Sequence, residues 1–77
     1  MEWRERIVFD PEICFGKPTV KGTRITVDLV IELMADGWGH DKILENYPRL
    51  TREDIQACLG YVSDIVKDQV FYPSVSR

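Results

Sequence analysis

Tyr47-Pro48-Arg49-Leu50-Thr51-Arg52-Glu53-Asp54 is the stretch whose reading decides the architecture of this chain. Pro48 disfavours helical backbone at Tyr47 and stops a helix that runs into it. Three residues on, Thr51 is placed to cap a new helix, and Asp54 falls at the N3 position of a capping-box-like arrangement. A helix ends and another begins within residues 47–51, a connection short enough to make the two cross steeply, as in a helix-turn-helix unit.

Downstream of that start, Ile55, Cys58, Leu59, Val62, Ile65 and Val66 fall on one helical face, while Arg52, Gln56, Ser63 and Lys67 lie on or near the other. Upstream, a short helix around Asp41 to Asn46 turns Ile43, Leu44 and Tyr47 inward. Earlier still, Thr26 is an N-cap, and Val27, Val30, Ile31 and Met34 repeat at i, i+3, i+4 and i+7 up to a stop at Gly37. The N-terminal part is extended: Ile7-Val8-Phe9 and Thr19-Val20 read as short strands, and Arg24-Ile25 as a third extended piece. Immediately before the first helix, Gly16-Lys17-Pro18-Thr19-Val20-Lys21-Gly22-Thr23-Arg24 is a specified turn that includes the second of these strands. Pro18 biases Lys17 toward extended backbone, and Gly22 supplies positive φ. Lys21 precedes Gly22 and no long buried strand leads in, so the glycines do not form a phosphate-binding loop.

These elements make one mainly α domain over residues 1–77, with a β arm and turn over 1–25, helices over 26–72 and a tail over 73–77. A chain of 77 residues buries only about 60–65% of its unfolded surface, which leaves little room for an enclosed active site. With 44% hydrophobic and 30% charged residues the composition is that of an ordinary folded domain, and no apolar run is long enough to span a bilayer. Cys14 and Cys58 are too few and too far apart for a disulfide scaffold or a zinc site, and a reducing cytoplasm fits them best. His40, the single histidine, has no neighbouring nucleophile. No catalytic residue, metal site, cofactor or small-molecule substrate is expected.

The net charge of −3 argues against an undirected grip on nucleic acid, so any basic patch must be local. Asp28, Glu32 and Asp36 stack on one face of the first helix, where they are either solvated or opposed by a basic partner. The third helix begins with Arg49, Thr51, Arg52 and Gln56. Free N–H groups at a helix start favour phosphate, Arg can donate twice to guanine, and Gln can serve adenine similarly. The same residues also fit an ordinary solvated face beside Glu53 and Asp54. Lys17 and Lys21 can touch phosphates or remain solvated, whereas Arg24 is expected to pair with Asp10 or Asp28 and hold the arm to the helices. Trp3, Phe71, Tyr72 and Val75 are candidate partner or dimer contacts, because a small domain cannot shelter all its apolar residues.

Taken jointly, Arg6-Ile7, Asp10-Pro11, Ile13-Cys14, Gly16-Lys17-Pro18, Lys21-Gly22-Thr23-Arg24, Val27, Gly37, Ile43-Leu44, Tyr47-Pro48, Leu50-Thr51, Asp54-Ile55 and Tyr61 resemble domain of unknown function family 433, a family of VapB-type antitoxins. The resemblance covers about residues 6 to 66. It implies a homeodomain-like three-helix fold, binding to promoter DNA, and a toxin partner related to PIN-domain ribonucleases. A homodimer is also expected. The rival expectation is a protein-interaction module that does not bind DNA.

Overall fold

The computed structural model describes residues 2–68, and within them the chain is mainly helical with a short β arm. Strand β1 (Ile7–Val8) pairs antiparallel with β2 (Thr19–Val20), in the register Ile7 to Val20 and Val8 to Thr19. The expected third extended piece forms as well: an antiparallel bridge joins Thr19 and Thr26, and the Val20 amide donates to the Ile25 carbonyl at 2.9 Å. A sheet this small is marginal in water. It persists because Ile7, Thr19 and Val20 are buried against the helices.

Helix α1 (Val27–Ala35) begins where Thr26 Oγ1 accepts from the Leu29 amide at 3.2 Å, and it ends at Gly37, whose φ of +95° few other residues tolerate. Helix α2 (His40–Asn46) buries Ile43 and stops before Pro48. Helix α3 (Arg52–Asp68) buries Asp54, Ile55, Ala57 and Cys58. The core therefore gathers Ile7 and Val20 from the arm, Val27 and Val30 from α1, Ile43 from α2, Leu50 from the turn, and Ile55, Ala57 and Cys58 from α3. Each fully buried aliphatic side chain contributes about 1.5–3 kcal/mol relative to exposure.

Two sequence expectations are corrected by the geometry. The apolar stripe of α3 does not remain buried to its end: Ile65 is 39% and Val66 49% exposed. At 1.5 Å per residue α3 is about 26 Å long and α1 about 14 Å, so α3 outruns the helix that covers it. Arg24 is not the residue that holds the arm to α1; Lys17 Nζ meets Asp28 Oδ2 at 3.4 Å instead. Arg24 lies elsewhere, beside Ile13, Ile25 and Arg49. The turn upstream of Lys17 is left-handed, with φ of 52°, 59° and 80° at Cys14, Phe15 and Gly16.

The capping box predicted at Thr51 is present. Thr51 N donates to Asp54 Oδ2 at 2.9 Å, and Asp54 N donates to Thr51 Oγ1 at 3.2 Å. The sequence did not reveal that Asp54 Oδ1 also accepts from the guanidinium of Arg6 at 3.1 Å. One carboxylate thus fixes both the start of α3 and the base of the β arm. Asp54→Ala is expected to lower stability by about 2 kcal/mol in urea unfolding, through the lost cap and a charge-assisted hydrogen bond. Arg6 is half exposed and rehydrates, which limits the loss. Asp54→Asn keeps one acceptor and should fall between the two.

Cys58 is fully buried, and desolvation pushes its thiol up from 9.0 to about 12, with the Asp54 carboxylate adding to the rise. The unfolded chain releases this proton at lower pH than the folded one. The stability held by the neutral thiol is therefore complete below pH 9 and is lost as pH rises toward 12. Cys14 is only partly buried. Iodoacetamide at about pH 8 should label Cys14 and spare Cys58 until the protein unfolds, and mass spectrometry of digested peptides reads the difference.

Candidate functional site

The start of α3 brings together residues that are far apart in sequence. Arg49, in the turn before it, donates from Nη2 to the Gly22 carbonyl at 2.7 Å, which ties the glycine turn of the arm to the turn between α2 and α3. Gly22 has φ of +80°, as that turn requires. Lys21 is next to it and shares a shallow polar depression of about 260 Å³ with Glu5, Arg6 and Asp54. Lys21, Arg49, Thr51 and Arg52 therefore converge at one end of the molecule, with Gln56 one helical turn beyond Arg52 on α3.

Each of these side chains has a defined setting. The Arg52 guanidinium pairs with Asp41 in the first turn of α2, and both groups are exposed. This pair crosses from one helix to the other. Gln56 and Thr51 are exposed, and the Thr51 hydroxyl oxygen is occupied as the cap of α3. Lys17 does not join the group, since Asp28 of α1 holds it. The end therefore presents Arg6, Lys21, Arg49 and Arg52 against Glu5, Asp41, Glu53 and Asp54. Opposite charges are interleaved, and a polyanion would have to displace Asp41 to engage Arg52 fully.

Trp3, expected at an interface, is engaged within its own chain. Its indole Nε1 donates to Asp64 Oδ2 at 2.7 Å, and its ring lies edge-on to Tyr61 at 4.9 Å and to Phe9 at 6.4 Å. The turn Trp3–Glu5 is thereby clamped to the middle of α3. Phe71, Tyr72 and Val75 lie outside the described residues. Pro18, Val27, Ile31, Ala35, Tyr61 and Val62 line an apolar groove of about 430 Å³, with Asp28 and Glu32 beside them. Among the described residues no helix is long and apolar enough to cross a membrane, and no cluster of three or more metal-ligating side chains forms.

Sequence reasoning missed Phe15 altogether. It is 97% exposed on a left-handed backbone that bulky residues seldom adopt. No glycine or asparagine marks that position, so only the structure reveals it.

No curated protein matches the chain. A crystal structure at 2.00 Å resolution of a DUF433 member protein from Anabaena variabilis superposes with a TM-score of 0.75 at 31% sequence identity, over 80% of this chain and 61% of that one. The present chain therefore spans about 61% of that protein's length. The model of the family described as "Protein of unknown function (DUF433)" matches residues 7–62, a segment that holds both strands, α1, α2, the capped turn and most of α3. The chain belongs to the DUF433 family.

Proposed function

We propose that this chain is the DNA-binding antitoxin of a bacterial type II toxin–antitoxin pair, a cytoplasmic homodimer that binds the promoter of its own operon and neutralises a PIN-like ribonuclease toxin. The observation that carries the DNA half is the convergence of Lys21, Arg52 and Gln56 at the exposed start of α3, which a capping box and two inter-element contacts hold in place. A pre-oriented helix start with Arg and Gln one turn apart has the donors that base edges need, and Lys21 beside it suits a phosphate. The protein-partner half is supported by the resemblance to VapB-type antitoxins and by Ile65 and Val66, which the far end of α3 leaves exposed. The two surfaces lie at opposite ends of one helix.

A second reading, a protein-interaction module without DNA binding, is favoured by one specific observation. Arg52 is paired with Asp41, so the recognition end carries little net positive charge.

Fluorescence anisotropy with promoter DNA at several salt concentrations separates the readings. Arg52→Ala is expected to weaken specific binding by about 1–3 kcal/mol while the fold survives. Lys21→Ala should weaken all sequences alike and reduce the salt slope by about one. Promoter affinity unchanged in the Arg52→Ala, Gln56→Ala double variant would remove the start of α3 as the reading surface, and a wild-type chain with no salt-dependent promoter binding would remove the DNA reading and leave the interaction module.

A further inference from the structure

The left-handed turn at Cys14–Gly16 presents a large apolar side chain entirely to solvent. Phe15 is 97% exposed at φ 59° and ψ 31°. Both features are unfavourable in an isolated domain, because the left-handed region strains a bulky residue and a free phenyl ring orders water. Next to this ring the same chain forms a pocket of about 480 Å³ lined by Ile13, Gly22, Thr23, Arg24, Ile25 and Arg49. Ile13 lies two residues before Phe15, and Cys14 Sγ donates to the Arg24 carbonyl at 3.5 Å, so projection and pocket are rigidly side by side.

We propose that this face is a homodimer interface in which Phe15 of each copy enters the Ile13–Ile25–Arg49 pocket of the other. Three features select a second copy as the occupant. The aliphatic floor of Ile13 and Ile25 suits an aromatic ring, and the guanidinium groups of Arg24 and Arg49 can stack on its faces. The loop that carries Phe15 also bears Asp10 and Glu12, both exposed, whereas the pocket rim bears Arg24 and Arg49. A two-fold axis between them sets each acidic loop against the other copy's basic rim. Finally, a projection adjacent to its own complementary hole closes with two copies and leaves no free end.

Area decides how tight such a dimer is. Two phenyl rings at about 150–250 Å² each, with similar wall area covered, reach only the low end of specific interfaces. An interface of this size fits a reversible dimer rather than an obligate one. The inference rests on the homodimer part of the proposed function and is independent of DNA binding. Arg49, already bound to Gly22, belongs to the pocket wall, leaving Arg52 and Gln56 as the base-facing residues.

The test is sedimentation velocity on the full chain from about 1 to 300 μM, beside thermal unfolding at low concentration. Phe15→Gly should weaken the dimer at least ~30-fold, as loss of a strong interface anchor does. It should also raise the unfolding temperature of the monomer, because glycine takes positive φ without strain. The exposed substitution Arg24→Glu should weaken the dimer about tenfold by setting like charges opposite Asp10 and Glu12. A Phe15→Gly chain that dimerises as wild type does would overturn the interface and leave the homodimer reading intact. A wild-type chain monomeric at 300 μM would overturn both.

Discussion

The carboxylate of Asp54 is the constraint on which the rest of this small domain depends. It is the only charged side chain buried among the described residues, and it is held by the Thr51 amide on one side and the Arg6 guanidinium on the other. A buried carboxylate is tolerable only when its oxygens are satisfied by donors, and here the donors belong to two different parts of the chain. The arm cannot leave the helices without breaking this ion pair and exposing Ile7 and Val20, and α3 cannot fray at its start without losing its cap. A two-stranded sheet that would be marginal alone is thus joined to the three-helix core as one unit.

That coupling places the candidate site. Lys21 comes from the arm, Arg49 from the turn between helices, and Arg52 and Gln56 from α3, so their relative positions are set only if arm and helix move together. The Arg49 contact to Gly22 reinforces the same joint from the other side. Along α3 the chemistry changes with distance from this joint: polar and hydrogen-bonded groups at its start, the Trp3, Phe9 and Tyr61 ring cluster at its middle, and uncovered Ile65 and Val66 toward its end. A helix much longer than its neighbours can therefore offer two partners different surfaces without either displacing the core.

Local signals in the sequence were sufficient for the helices. Thr26, Gly37, Pro48 and Thr51 each act on their immediate neighbours, and the structure has a cap or a stop at each place. The strands were legible for the same reason, with Gly22 at positive φ in the turn that follows β2. What could not be read were relations between distant residues. Arg6 and Asp54 are 48 positions apart, Arg49 and Gly22 are 27 apart, and neither pairing leaves a periodic trace. The Lys17–Asp28 pair stands where one was expected for Arg24, and the left-handed turn at Cys14 and Phe15 uses residue types that ordinarily avoid such backbone. Trp3 was legible as apolar and terminal, but its Asp64 partner, 61 residues away, was not.

Native-state hydrogen exchange resolved by residue tests the central claim, that the arm and the start of α3 form one cooperative unit. The reporters are the Lys21 amide, which donates to the Arg6 carbonyl at 2.8 Å; the Val27 amide, which donates to the Pro18 carbonyl at 3.0 Å; and the Thr51 amide on Asp54. The account predicts a shared opening free energy for all three, close to that of global unfolding. Lys21 and Val27 exchanging through a separate low-energy opening, while the amides of α3 stay protected, would contradict it.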